Sequence, residues 1–450
     1  MRVTSLGHAS LVVEAADTTV FTDPVFFDPF EVESVSCPRR EVTVDALPRP
    51  DAIVLSHAHL DHFDAASLAR LPRSTPVYIP PDARLRQALQ GLEFWKVKVL
   101  LPWEPLRIGA LTLMATPSKS AYETGLVVRD EDGALWNQVD TVVTQATTLR
   151  VLEWLGGDLD VVFSMYSPLI EYGETWVSEL GFPRERYDRL LEVALSSQAR
   201  VVVPHSSGQR LFGSREWANR HIFPASRERF LADLAVVAPE VTGLLLDPGE
   251  ALELRSCAAP RRVATGYAHV LDHDTQLIAH DPAAAIPPLT DPGAPGLAAN
   301  LIDHHVSQLV GHELPRALEA LKHPRLSGPL RRLWDRRARL EVEVVTPTTT
   351  LVWHLVRWMP EVEWAAGASP EPDYTFTYVG SELVRALTGQ LALADVQLRA
   401  VRHRRSEMPG SPFRLQPLDP ARLHGVDVYE SVDEIYGWSP LMALVDVAES

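Results

Sequence analysis

A chain of 450 residues with 46% hydrophobic and 22% charged side chains has ordinary globular composition, with room for one large core and a second module. Its formal net charge of −17 argues against a nucleic-acid partner, because such a surface repels phosphates, while leaving open a small substrate that meets only its local pocket. The two cysteines, Cys37 and Cys257, form neither a disulfide framework nor a Cys-x-x-Cys pair, so no zinc ribbon or iron–sulfur centre is expected.

The N-terminus lacks the apolar core of a signal peptide, and no run is long enough to cross a bilayer, which predicts a cytoplasmic chain without a membrane partner. The first strands are expected at Ser10–Glu14 and Thr18–Thr22, and Asp23-Pro24 ends the second because proline cannot continue a central ladder. His8 and Asp23 fall at strand ends, as turn residues or as groups that orient a metal-bound imidazole. The apolar run 51–55 predicts a buried strand that passes into Ser56-His57-Ala58-His59-Leu60-Asp61-His62, after which Asp64 caps a helix through Leu71. Three imidazoles and a carboxylate within six residues of a strand-to-helix turn point to metal binding. His57 and His59 can face one way and Asp61 and His62 another, enough to begin two adjacent metal sites.

Strands are expected next at 75–80, 97–100, 111–115 and 125–128, with a helix at 82–89. Glu123 lies in the loop before the strand at 125–128, and Asp140 ends the strand 135–141. A helix at 148–155, a strand at 160–164 and a longer helix at 183–195 follow, and the strand 199–204 delivers His205 at its end. Tyr166, Tyr172 and Trp176 follow a core strand and either line a pocket or pack in the core. Apolar strands alternating with helices, with ionisable groups at the strand ends, describe a layered α/β core with its site on one edge.

Proline and glycine concentrate between Asp281 and Gly296, so residues 256–298 read as a connecting segment between residues 1–255 and 299–450. The helix predicted from Ala298 to Glu313 carries His304, His305 and His312, which lack the i, i+4 spacing of a chelating pair and suit a polar or partner-facing surface. Arg331, Arg332, Arg336, Arg337 and Arg339 make a basic helix end, solvated or locally paired. Residues 340–345 alternate as an amphipathic strand, and 373–390 run strand, cap, helix and glycine stop.

His57, His59, Asp61 and His62 match the His-x-His-x-Asp-His signature of the metallo-β-lactamase fold. Asp140 resembles that family's bridging aspartate and His205 its last histidine ligand. Gly7-His8-Ala9-Ser10 and Thr22-Asp23-Pro24 resemble the branch containing lactonases and N-acyl-phosphatidylethanolamine phospholipases. The resemblance implies an αββα sandwich in residues 1–255 with an accessory α/β domain after it. The 373–390 segment of that accessory domain is loosely similar to sterol-carrier-type domains, and its expected role is to wall the pocket or to mediate a homodimer.

There is one departure. The family's usual pattern has another histidine between the cluster and the bridging aspartate, yet no histidine lies between His62 and His205. In the loop Ser118–Thr124 the available ligand is Glu123, unless that glutamate is merely solvated beside a site that has lost one metal. A glutamate in this position resembles the metallo-β-lactamase-fold oxygenases, of the type of the chloramphenicol-pathway β-hydroxylase, whose site holds two irons. Trp136-Asn137-Gln138-Val139-Asp140 is similar to a stretch of the CMP-N-acetylneuraminate hydroxylase family, although the Rieske Cys-x-His…Cys-x-x-His motif of that family is missing here.

The resemblance implies one metal on His57, His59 and Glu123, a second on Asp61, His62 and His205, and Asp140 between them, with Glu123 and Asp140 as the catalytic carboxylates. Two metals about 3.5–4 Å apart can act together on one small ligand. Iron is the expected pair, with zinc or manganese as alternatives for this mixed nitrogen–oxygen donor set. The implied activity is a di-iron monooxygenase that hydroxylates a small biosynthetic metabolite with dioxygen, drawing electrons from an external donor or reductase. The alternative is a dinuclear zinc hydrolase of a lactone, ester or phosphodiester. A binding protein with a decayed site is the weakest reading, since most ligand positions are intact.

Overall fold

In the computed structural model the described residues are 1–30, 34–119, 123–157, 159–168, 182–256, 258–273, 279–285, 287–325, 337–358, 361–388 and 402–405. Two sheets dominate the part of the chain up to Pro282. The first has eight strands in the order Arg261–Ala264, Glu250–Glu253, Arg2–Gly7, Ser10–Ala15, Thr18–Thr22, Ala52–Val54, Val77–Ile79 and Val97–Val99. The second has seven, in the order Thr242–Gly243, Val201–Pro204, Val161–Ser164, Ala134–Asn137, Thr124–Arg129, Leu111–Pro117 and Leu106–Ile108.

The period-two alternation of strand side chains decides what each sheet buries. Val3, Leu11, Val13 and Val20 meet Leu113, Leu126, Val128 and Phe163 in a core between the sheets. Phe21 and Ile53, the alternate residues of their strands, face outward onto Leu68, Leu85 and Leu89 from the helices Ala65–Leu68 and Ala83–Gly91. On the second sheet Trp136, Val162 and Val202 face outward onto Val151, Tyr187, Leu191, Phe230 and Leu234. Those partners come from the helices Gln145–Leu155, Arg184–Ser196 and Arg227–Val237. Val161–Val162–Phe163 is apolar at every position because this parallel strand is covered on both faces. The result is the expected helix–sheet–sheet–helix sandwich, followed by further strands and helices. Among the described residues no helix is long and apolar enough to cross a membrane.

Parallel pairing also sets the position of the site. Thr18–Thr22 runs parallel to Ala52–Val54, so Asp23 and Ser56-His57 leave the first sheet at one edge. Ala134–Asn137, Val161–Ser164 and Val201–Pro204 are likewise parallel, so the chain segments bearing Asp140 and His205 leave the second sheet together.

Several elements differ from the sequence reading. The strand Arg2–Gly7 was not anticipated, because its polar residues hide a buried centre that pairs Val3 with Val13. Asp64 does cap a helix, its carboxylate accepting from the Ala66 and Ser67 amides, but that helix ends at Leu68. The strand expected to reach Asp140 ends at Asn137, leaving Asp140 in the loop beyond. Residues 256–298 are not simply a connector: Arg261–Ala264 pairs with Glu250–Glu253, and Ala268–Asp272 pairs with Arg39–Val42. Both are half-exposed edge strands, with too little apolar character to stand out from a linker in the sequence.

A first compact unit ends at Pro282, and a second takes up the chain from Ala283. The second is built on a five-stranded sheet, ordered Glu363–Ala366, Thr350–Arg357, Leu340–Val345, Tyr374–Val379 and Arg402–Arg405. Ile302, Val306, Leu314, Leu383 and Val384 of its helices cover Val342, Val344, Phe376 and Tyr378. His304, His305 and His312 are exposed. Arg339 pairs with Glu371 and Asp373, while Arg331, Arg332 and Arg336 lie outside the described residues, as does the glycine stop at Gly389.

The turn into Glu250–Glu253 holds the first sheet to the strand Ala268–Asp272. Gly249 sits at φ +88°, and a Cβ there would fall 1.8 Å from the Ala268 carbonyl oxygen. Gly249→Ala is therefore expected to lower stability by at least about 2 kcal/mol. Urea unfolding monitored by circular dichroism checks this, and an unchanged midpoint would contradict it.

Candidate metal centre

Asp23 is the joint of the site. One carboxylate oxygen accepts the Ser56 amide at 2.7 Å, and the other accepts the Ser56 hydroxyl at 2.6 Å and lies 3.0 Å from His62 Nδ1. A single buried carboxylate thus ties the end of one strand to the start of the histidine loop and sets the ring of His62. The other ring nitrogen, His62 Nε2, lies 3.0 Å from Asp140 Oδ2 and 3.4 Å from Asp61 Oδ2. Asp23 is thus a carboxylate that faces an imidazole. His8 does not face an imidazole in this way: its Nε2 lies 3.0 Å from Asp61 Oδ2, so it orients a carboxylate.

On the other side of the cluster, His57 Nε2 and His59 Nδ1 lie 2.9 Å apart, and His57 Nδ1 lies 2.9 Å from the Ser56 hydroxyl. Glu123 joins this pair. Its backbone is placed by Thr124, whose amide and hydroxyl both reach the Ser56 carbonyl at 3.2 Å, and Ser118 Oγ donates to its carboxylate at 3.2 Å. Donor atoms of His57, His59 and Glu123 lie within 4.8 Å of one another, as do those of His57, His62 and Asp140, and those of His8, Asp61 and His62. Six of the seven ligands expected from the sequence therefore fall in overlapping triples, with His8 as an additional member.

His205 stands next to these triples without belonging to one. It is buried, its ring packs on Phe163 with centroids 5.1 Å apart, and its amide is fixed by the Ser164 carbonyl at 2.8 Å. Burial together with the neighbouring His8, Arg227 and His62 pushes its protonation well below the usual histidine range. Tyr166 is packed in the core, its hydroxyl donating to the Ser207 carbonyl at 2.8 Å, so it braces the loop that follows His205. Tyr172 and Trp176 lie outside the described residues.

The electrostatics follow from these contacts. Burial alone would raise the Asp61 carboxyl, but the charges and hydrogen bonds of His62 and His8 hold it well below the ordinary carboxylate range. Burial opposes a charge on His62, yet Asp61, Asp140 and Asp23 outweigh it and raise that group well above the usual histidine range. His57 has no such surplus of carboxylates, so burial and the nearby His62 and His59 lower it well below that range.

Four backbone positions at the site adopt left-handed conformations without being glycine: His8 (φ +48°), Asp23 (φ +41°), Val139 (φ +52°) and Ser206 (φ +61°). Each is a site residue or the neighbour of one, and such strain persists only where surrounding contacts over-determine it. The site also leaves buried polar atoms without partners, namely His205 Nε2, Asp140 Oδ1 and His8 Nδ1. Native interiors seldom leave such groups unsatisfied. Converging imidazole nitrogens and carboxylate oxygens, two of them orphaned on expected ligands, fit a pair of cations with mixed nitrogen–oxygen coordination. The serines that hold this geometry, Ser56 and Ser118, were not singled out in the sequence, since serine beside a turn carries no distinctive signal.

Residues 2–144 match the family model described as a beta-lactamase superfamily domain. A protein of Mycolicibacterium smegmatis, provisionally named a Rieske 2Fe-2S iron–sulfur protein, is 27% identical over 353 residues, covering 72% of this chain and 66% of the relative. An N-acyl-phosphatidylethanolamine-hydrolyzing phospholipase D of Caenorhabditis elegans is 35% identical over 148 residues, covering 30% of this chain and 41% of the relative. The chain thus spans less than two thirds of the length of these relatives. The solved structure of CmlA, a di-iron β-hydroxylase from Streptomyces venezuelae, aligns at 17% identity and TM-score 0.40, covering 58% of this chain and 54% of that one. The solved structures of an isothiocyanate hydrolase from Delia radicum gut bacteria and of a protein from Veillonella parvula described as a possible metal-dependent hydrolase align at TM-score 0.42 each, with 18% and 16% identity. Residues 2–144 are thus similar to a beta-lactamase superfamily domain, and the α/β sandwich they help to build is followed by additional strands and helices.

Proposed function

We propose that this chain is a di-iron oxygenase that uses dioxygen to hydroxylate a small biosynthetic metabolite. The observation that carries the proposal is the placement of Glu123 beside His57 and His59. With Glu123 the donor set contains three carboxylates, Asp61, Glu123 and Asp140, and four imidazoles, His57, His59, His62 and His205. A carboxylate in place of a neutral imidazole adds a negative charge that favours a higher metal oxidation state, and zinc, having no redox chemistry, draws no benefit from it. Iron bound here would supply the electron-transfer chemistry that dioxygen requires. The chain's own residues would hold the metals, with Asp23 setting the ring of His62, His8 setting Asp61 and Ser118 setting Glu123.

The relative provisionally named a Rieske iron–sulfur protein supports a redox setting. This chain has no Cys-x-His…Cys-x-x-His pattern of its own, so electrons would come from a separate donor or reductase. The second reading, a dinuclear zinc hydrolase of a lactone, ester or phosphodiester, is favoured by the match to a phospholipase D over 148 residues. In that case the metals would lower the pKa of a water that attacks the substrate.

Three measurements test this reading. Protein expressed in iron-supplemented medium is expected to contain about two irons per chain with an antiferromagnetically coupled Mössbauer spectrum. Two zincs without iron uptake would transfer the assignment to the hydrolase. Glu123→Ala is expected to lose about one metal per chain and its activity with it, by elemental analysis against wild type; retention of both metals with normal turnover would remove Glu123 from the ligand set. Asp23→Asn is expected to weaken the metal held by His62 by about 10–100-fold in chelator competition, because the ring loses its carboxylate partner. Equal affinity in the two proteins would show that Asp23 does not tune the site.

A further inference from the structure

Among the described residues three arginines are buried, Arg40, Arg210 and Arg227, and two of them are fully accounted for. Arg40 donates to the Leu6 carbonyl, to the Val25 carbonyl at 2.7 Å and to Asp28 Oδ1 at 3.0 Å. Arg227 pairs with Asp247 at 2.6 Å and reaches the Leu246 carbonyl at 3.3 Å. These are structural arginines, each with a carboxylate to neutralise it.

Arg210 is different. It is 2% exposed, yet it has no ion pair with a described carboxylate, and its one hydrogen bond runs to the carbonyl of its own neighbour Gln209 at 2.8 Å. Its buried Nε has no partner. The guanidinium lies over the Phe223 ring at 4.5 Å, a contact that offsets only part of the cost of burying a charge. Arginine does not escape that cost by losing its proton, and an uncompensated buried cation is strongly destabilising.

The position of Arg210 is as informative as its isolation. It lies five residues after His205, in the strand Gln209–Leu211, which pairs with Ser34–Ser36. The intervening segment is fastened to the turn that carries His8. The Ser206 amide donates to the His8 carbonyl at 3.3 Å, and Gly208 accepts from the Cys37 amide at 2.8 Å. A Cβ on Gly208 would lie 3.4 Å from His8 Cα, so the two backbones run in close contact.

We propose that Arg210 anchors a binding site for the oxyanion group of a small-molecule ligand, a carboxylate or a phosphate. Its planar fork of donors suits either group in a bidentate contact. On a chain of net charge −17 an anionic ligand is repelled at long range, so a local guanidinium with no ion pair to a described carboxylate is what would capture it. The proposal stands with either metal chemistry, because its readout is binding and not turnover.

The test is calorimetric titration of the full-length, metal-loaded protein with succinate and, separately, with inorganic phosphate, for wild type, Arg210→Met and Arg210→Lys. Wild type is expected to bind at least one of the two anions, and the preferred anion identifies the group. Arg210→Met is expected to lose at least about tenfold in affinity while melting at or above the wild-type Tm, since an unpaired buried charge has been removed. Arg210→Lys, which keeps the charge without the fork, is expected to retain part of the affinity. Absence of binding to both anions in wild type overturns the proposal. Equal affinity in Arg210→Met does so too, because the anion would then sit on the metals alone. A fall of several degrees in the Tm of Arg210→Met also overturns it, assigning the guanidinium to the fold.

Discussion

Asp23 holds three groups with two oxygens, and the geometry of the metal centre depends on that arrangement. Its carboxylate reaches the Ser56 amide, the Ser56 hydroxyl and the His62 ring, all with little or no solvent contact. The Ser56 amide and hydroxyl keep the histidine loop in register with the end of the strand Thr18–Thr22, so His57 begins where the second parallel strand releases it. The contact to His62 fixes which nitrogen of that ring faces Asp61 and Asp140. Because the carboxylate is buried and shielded from screening by water, its hydrogen bonds are stronger than they would be at the surface, and loss of one would leave a charge poorly satisfied.

The strain in the backbone fits this picture. His8, Asp23, Val139 and Ser206 are left-handed although each carries a side chain. A β-branched valine is among the least tolerant residues in that region, and Val139 is held there immediately before Asp140. Each of these conformations turns the chain sharply at a strand end, which lets residues from separate strands converge within a few ångströms. The sheets provide a rigid base for this, with Phe163 and Trp136 buried on opposite faces of the second sheet. A loose core would not sustain several strained loops at once.

Charge distinguishes the two halves of the cluster. His62 lies among Asp23, Asp61 and Asp140, whereas His57 has mainly other imidazoles as neighbours. Glu123 brings a carboxylate to the side that would otherwise be entirely imidazole. The proposed oxygenase chemistry rests on that redistribution of charge, and the hydrolase alternative would have to tolerate it. Arg210, in the strand that follows His205, adds a buried cation that has no ion pair with a described carboxylate.

Much of this was legible in the sequence because the relevant information is local. The run from Ser56 to His62 places four metal-binding side chains on one turn, and no tertiary contact is needed to see that they belong together. Asp140, Glu123 and His205 were also readable, as ionisable residues in the loops next to apolar strands and through resemblance to a known ligand pattern. What local pattern could not decide was who touches whom. His8 read as a turn residue or a partner for an imidazole, and its Nε2 lies 3.0 Å from Asp61 Oδ2. The polar strand Arg2–Gly7 and the edge strands at 261–264 and 268–272 acquired their identity from neighbours distant in sequence, where backbone pairing outweighs weak local preference. Arg210 carries no distinctive signal in the sequence. Only the fold buries it against Phe223 with no ion pair to a described carboxylate.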